Sequence, residues 1–227
     1  MRLLLVRHGQ TPSNVVGLLD TALPGPGLTA LGSRQAAAVP EALADRVVHG
    51  VAVSTLVRTH QTAAPLVEHL GLDPVELDGL REIDAGDLEM SGRHEDHVTY
   101  LETVFAWGAR DLGRRMPGGP DGATFLDRFD DAVAQVAGAG WETAVVVSHG
   151  AAIRSWASAR AEGVDLHRMA YTPLANTGLV EVEGDPVAGW RFVGVSDGPL
   201  GGHLLEDELA DDPTGESVGE ERVDAER

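Results

Sequence analysis

The chain has 227 residues, enough for one domain with a sizeable core, and a formal net charge of −19 at pH 7. That charge argues against nucleic acid and against anionic membranes as partners. There is no cysteine and no lysine. Disulfides, thiolate catalysis, cysteine zinc sites, Schiff-base chemistry and a Walker-type phosphate loop are therefore excluded.

In chain order, "RLLLVR" at 2–7 is a short continuous apolar run, the pattern of a strand buried on both faces. It is too short for a signal peptide. No stretch approaches the roughly 20 apolar residues of a membrane helix, so a soluble cytoplasmic protein is expected. A helix is predicted from Thr29 as its N-cap, with Pro40 expected to kink or split it. "GVAVST" at 50–55 is a second strand, followed by a helix over 58–71 that Gly71 ends. "PVEL" at 74–77 is a short third strand. Helices are predicted over 94–111 and 123–137, separated by the Gly/Pro-rich loop "LGRRMPGGPDG". "TAVVVSHG" at 143–150 is another buried strand, a helix follows over 151–162, and "GLVEVEG" and "WRFVGVS" form a terminal strand pair. Strands alternating with helices predict an α/β three-layer sandwich with a mostly parallel central sheet flanked by helices. In such folds ligands bind beyond the carboxyl ends of the strands.

Two of these strands end alike, as "LLLVRHG" and "AVVVSHG". Each delivers a histidine and then a glycine, which lets the backbone turn sharply near a ligand. The second strand leads to Arg58, and the third to Arg81 and Glu82. Arg7, Arg58, His8 and His149 would form a cationic cluster inside an acidic protein, and such a cluster calls for an anion. Arginine's planar fork suits phosphate. Nearby positive charge keeps an imidazole neutral and nucleophilic, and also stabilises a phosphoryl group in transfer. Glu82 would supply the proton for a departing alcohol oxygen.

These residues carry a family resemblance. "RHGQTPSN" at 7–14 resembles the "RHGxTxxN" signature of the histidine phosphatase superfamily, which includes phosphoglycerate mutases and many phosphatases. Further blocks follow in family order: "LTALGSRQA" at 28–36, "STLVRTHQTA" at 54–63, "LREIDAGDLE" at 80–89, "PGG" at 117–119 and "VVSHGAAIR" at 146–154. The resemblance implies a phosphoglycerate mutase-like fold and hydrolysis of phosphomonoesters. It implies His8 as the phosphorylated nucleophile, Arg7, Arg58 and His149 as the rest of the phosphate pocket, and Glu82 as general acid and then base. Asn14 is implied as a phosphate or substrate contact. Gln10 and Thr11 lie on the same loop, and Gly150 follows the second histidine; all three are candidate binding residues. No cofactor and no metal are implied, and the expected partner is a small phosphorylated substrate. A homodimer is expected from symmetry base rates alone.

The chain departs from the family pattern in two places. Leu88 and Met90 stand where the acid block often has tryptophan and glycine, and Pro120 stands where the "PGGES" loop has glutamate. Both places belong to the region expected to cover the pocket and select substrate. A phosphoglycerate mutase is the alternative within the family, and the Arg114–Arg115 pair is its one supporting feature. A non-catalytic phosphate-ligand-binding protein is a second alternative. "HEDH" at 94–97 has metal-like spacing but lacks a distant third ligand, and reads as a solvated helix face.

The expected organisation is one catalytic domain over 1–202, with a helical cap insertion at about 84–124. Residues 203–227 form an acidic tail. Its last 24 residues hold ten acidic side chains against two arginines and no aromatic residue, a composition expected to stay disordered.

Overall fold

The computed structural model describes residues 1–207 and 209–214. Chain order runs β1 (Arg2–Arg7), α1 (Pro12–Val15), α2 (Ala30–Ala42), β2 (Gly50–Val53), α3 (Val57–Leu70) and β3 (Val75–Glu76). Then come α4 (His94–Gly108), α5 (Gly122–Gly138), β4 (Thr143–Ser148), α6 (Gly150–Arg160), β5 (Ala161–Glu162), α7 (Leu166–Tyr171), β6 (Leu179–Asp185) and β7 (Gly189–Ser196). Short 3-10 turns stand at Asp78–Leu80, Gly86–Leu88 and His203–Leu205.

The strands form one sheet in the order β3-β2-β4-β1-β6-β7-β5. Its first four strands are parallel, and β6 turns antiparallel to β1. The pleat sends alternate residues of the same strands to opposite faces. Leu3, Leu5, Ala144 and Val146 pack with α4, α5 and α6 on one side. Leu4, Val6, Val145 and Val147 pack with Val39 and Leu43 of α2 and its end, and with Ala63 and Leu66 of α3, on the other. Covering on both faces is why the strands read as continuous apolar runs. Each buried Leu or Val contributes roughly 1.5–3 kcal/mol.

The face under α4–α6 contains an aromatic ladder, Trp107–Phe125–Phe129–Trp156–Trp190, with successive ring centroids 5.5–5.9 Å apart. The indole N–H of Trp107 donates to the Arg114 carbonyl at 2.7 Å, and that of Trp156 donates to Asp130 at 2.8 Å. Helix α4, expected as part of a cap, thus contributes Tyr100, Leu101, Val104 and Trp107 to the main core.

Several local expectations change. Pro40 neither splits nor ends α2, because the helix stops two residues later at Ala42 and only its last turn bears the missing N–H. Thr29 does cap it, accepting from the Gly32 N–H at 3.0 Å. Gly71 ends α3 in the left-handed conformation, at φ 65°. The helix expected over 151–162 ends at Arg160, and Ala161 and Glu162 pair with β7 instead.

Within the expected tail, Leu205, Asp207, Asp212 and Thr214 bond to the body, while Leu204 and Leu209 are exposed. The side-chain amide of Gln35, on α2, donates to the Leu205 carbonyl at 2.8 Å. Composition argued for a solvated segment, but the bonded residues are held by polar partners that composition does not count. Residues 215–227 fall outside the described residues. Among the described residues no helix is long and apolar enough to cross a membrane.

Candidate active site

Register places the site. Arg7 on β1 is level with Ser148 on the parallel neighbour β4, so His8 and His149 leave the sheet side by side. Their rings meet edge to face with centroids 5.2 Å apart. Arg58 arrives from the first turn of α3 and Glu82 from the loop after β3. All five side chains, Arg7 and the two histidines included, are at most 3 % exposed.

The loop carrying His8 is latched by backbone. A Cβ on Gly9 would stand 2.7 Å from the Gly32 carbonyl oxygen, and one on Gly32 would stand 2.1 Å from that of Gln10. Only glycine at both positions allows this approach. The Gly9 N–H donates to Thr62 Oγ1 at 2.9 Å, which ties the same loop to α3.

His8 Nδ1 lies 2.7 Å from the Gly9 carbonyl oxygen. A carbonyl can only accept, so Nδ1 carries the proton and Nε2 keeps its lone pair. Burial, then the charges of Arg58 and Arg7, hold this imidazole well below its usual pKa of 6.5 and therefore neutral. His149 is likewise held well below 6.5, by burial and then by Arg58. Arg58 Nε donates to its Nδ1 at 3.3 Å, so its Nε2 donates to Ser54 Oγ at 2.8 Å.

Glu82 Oε1 accepts from the Ile83 and Ala152 N–H groups at 2.9 and 2.8 Å, and Oε2 accepts from Ala151 at 3.2 Å. The last two donors belong to the first turn of α6. Burial raises the Glu82 pKa above its usual 4.5, against the opposing pull of these hydrogen bonds and of Arg58. A carboxyl raised in this way can hold a proton to donate. Two guanidinium N–H groups, Arg7 Nε and Arg58 Nη1, are buried and have no hydrogen-bond partner among the described residues. Oxygens of a bound anion would satisfy both.

Thr11 and Asn14 cap each other at the start of α1, and Asn14 Nδ2 remains to donate outward. Both border the cavity that holds His8, Arg58 and Glu82. Gln10 does not border it: its side chain accepts from Thr29 and donates to Asp207. Gly150 begins α6 against Arg7, and a Cβ there would stand 3.0 Å from Arg7 Nε.

Three features escaped the sequence reading. Asp20 lines the cavity, and its carbonyl accepts from Arg58 Nη2 at 3.0 Å. Arg154 is fully buried behind Gly150, where burial lowers its pKa to about 10. The signal for it was a lone charged residue inside the mostly apolar "AAIRSWA". The third is the acidic C-terminal segment, whose Asp212 and Thr214 lie on Arg7.

The departures from the family pattern sit away from His8. Leu88 points into the core, Met90 is half exposed at φ 59°, and neither they nor Pro120 border the His8 cavity. Arg114 and Arg115 are paired at the surface with Glu102 and Asp121 at 3.0 and 2.8 Å. In "HEDH", Asp96 is bound by Ser91 and Arg93, and His97 reaches the Ser91 carbonyl.

The profile of the histidine phosphatase superfamily (branch 1) matches residues 3–198. A PE-PGRS family protein, PE_PGRS11, of Mycobacterium tuberculosis is 40% identical over 213 residues, covering 86% of this chain but only 36% of that longer protein. Phosphoserine phosphatase 1 of Hydrogenobacter thermophilus is 30% identical over 169 residues, 74% of this chain and 79% of the relative. Among solved structures, a mycobacterial glucosyl-3-phosphoglycerate phosphatase complexed with VO3 superposes with a TM-score of 0.70 at 27% identity, covering 86% of this chain and 98% of the other.

Proposed function

Because the chain belongs to branch 1 of the histidine phosphatase superfamily, we propose that it is a phosphomonoester hydrolase working through a covalent phosphohistidine at His8. One observation carries this reading: a neutral imidazole, its tautomer set by the Gly9 carbonyl, keeps a free Nε2 beside the buried guanidiniums of Arg7 and Arg58.

In the first step His8 Nε2 attacks phosphorus, the P–N bond forms and the P–O bond to the alcohol breaks. Glu82 delivers its proton to the departing oxygen. Arg7, Arg58 and Asn14 donate to the phosphoryl oxygens, whose charge spreads in the transition state. His149 stays neutral beside His8 and keeps the pocket's charge from rising further. In the second step Glu82, now a carboxylate, takes a proton from water. The water oxygen attacks phosphorus, the P–N bond breaks, and inorganic phosphate leaves with His8 restored.

The substrate is proposed to be a small phosphorylated metabolite, and the phosphatase relatives support that class. The Arg114–Arg115 pair, the mutase alternative's one feature, is ion-paired at the surface with Glu102 and Asp121 and lies outside the His8 cavity.

The test is to quench turnover of a ³²P-labelled phosphomonoester in denaturant at alkaline pH. Label should remain on the protein, survive alkali and be lost in acid. His8→Ala should abolish both label and turnover. Turnover by folded His8→Ala at the wild-type rate would refute the mechanism. Conversion of 3-phosphoglycerate only with added 2,3-bisphosphoglycerate would establish a mutase. No turnover of any phosphomonoester in a metabolite panel would leave a binding protein.

A further inference from the structure

The His8 cavity is small, and Thr214 of the acidic C-terminal segment forms part of its wall. Asp212 engages Arg7 with both carboxylate oxygens, Oδ1 on Nη2 at 2.6 Å and Oδ2 on Nη1 at 2.5 Å. This is the fork-on-fork geometry by which arginine grips a phosphate. Asn14 Nδ2 adds a third donor to Oδ1 at 3.0 Å. Thr214 Oγ1 accepts from Arg7 Nη2 at 3.0 Å, and its carbonyl accepts from Arg154 Nη2 at 2.7 Å. Upstream, Asp207 accepts from Gln10 Nε2 at 2.8 Å.

The body accommodates this segment closely. A Cβ on Gly150 would stand 2.5 Å from the Thr214 carbonyl oxygen, and one on Gly17 would stand 2.8 Å from that of Asp211. With Thr214 on its wall, the cavity at His8 measures about 10 Å³. That is barely space for one water and too little for a phosphoryl group.

We propose that residues 207 and 209–214 form a built-in acidic inhibitor, in which the Asp212 carboxylate takes the substrate phosphate's place on Arg7 and Asn14 until a phosphorylated ligand displaces it. The proposal rests on reading the Arg7–His8 pocket as the phosphate site. Leu174, Asp212 and Thr214 occupy both Arg7 Nη groups and leave only Nε, so a phosphate that needs the Nη pair must displace the strap. The apparent affinity for any phosphate ligand is then the intrinsic affinity reduced by the fraction of molecules that are open. A strap closed in about nine molecules of ten weakens binding about tenfold.

The test uses the full chain with inorganic orthovanadate as the probe, titrated calorimetrically, alongside steady-state kinetics on a phosphomonoester. Asp212→Ala removes the carboxylate, and Asp212→Arg sets a like charge against Arg7. Asp212 is not part of the proposed chemistry, so kcat should hold while KM falls. Vanadate should bind both variants about tenfold or more tightly than wild type. A synthetic peptide of residues 205–214 should compete with vanadate on Asp212→Ala and restore the weaker binding. Unchanged vanadate affinity in both folded variants would overturn the proposal, whatever the kinetics show. Tighter vanadate binding without turnover of any ester would uphold the strap and refute the hydrolase. Failure of vanadate to bind any of the three proteins would refute both.

Discussion

Replacing Glu82 by Gln separates its two tasks. Glu82 Oε1 holds two backbone donors, Ile83 and Ala152, while Oε2 holds Ala151 at 3.2 Å. Glutamine's carbonyl can keep the first pair, but its NH₂ then faces the Ala151 N–H, donor against donor. One buried donor loses its acceptor, a destabilisation of about 1–3 kcal/mol. The carboxyl also titrates. Its folded pKa is raised above 4.5, so the native state binds the extra proton, and its contribution is fully present below pH 4.5 and lost as pH rises through the folded pKa. The Gln variant removes that loss, so its deficit in urea denaturation should be larger at pH 4.5 than above the folded pKa.

The kinetic effect depends on the leaving group. An alkyl ester releases an alkoxide that needs a proton, so phosphoenzyme formation should slow by about 10²–10⁴-fold. A nitrophenyl ester releases a phenolate stable near neutral pH and should suffer far less at that step. Glu82 is also the proposed base for water, so steady-state rates mix both steps. Rapid-quench burst rates on both ester classes isolate the first. Equal losses for the two classes would refute Glu82 as the acid. Asp84 is already engaged by the Gly86 N–H, and Glu89 by Thr21 and Ala22, so neither is a ready replacement.

The buried histidines should make stability rise with pH. His8 and His149 are held well below 6.5, so the unfolded chain binds more protons between the folded pKa values and 6.5. Their contribution is present above pH 6.5 and lost as pH falls, by up to about 1.4 kcal/mol per pH unit per ring. Urea midpoints measured from pH 7 to 5 should fall, and His149→Asn should flatten the slope; parallel slopes would count against buried neutral rings. Met90 occupies the left-handed region at φ 59° and is half exposed. Met90→Gly should remove about 1–2 kcal/mol of backbone strain against glycine's entropy cost of about 0.5–1. Calorimetry should show a melting temperature between unchanged and a few degrees higher, and a lower value would refute the strain.

The parts of this molecule that were legible in its sequence are those whose signals are local. A strand covered on both faces announces itself by composition, so β1 and β4 were read nearly to the residue, and the histidines followed from their position at the strand ends. Thr29 and Gly71 marked helix ends because capping is a contact within a few residues. Helix α1 was missed because four residues inside a loop carry no period. Helix α7, of six residues, is nearly as short. The strap was misread for a different reason. Asp212 meets Arg7 across 205 residues of chain, and acidity judged by average cannot say which carboxylate finds a cation.

The backbone latch between Gly9–Gln10 and Gly32 separates what can drift from what cannot. Its closest approach is backbone on backbone, and the Thr62 and Gln35 side chains accept from the Gly9 and Gln10 N–H groups, so the seat of His8 depends on these few residues and not on the outer loops. Leu88, Met90 and Pro120 lie off that seat, whereas the strap meets it through Asp207 on Gln10 and Asp212 on Arg7. On the proposed mechanism, one seat for His8 then serves many different phosphate esters, with each new selectivity explored by mutation at the rim.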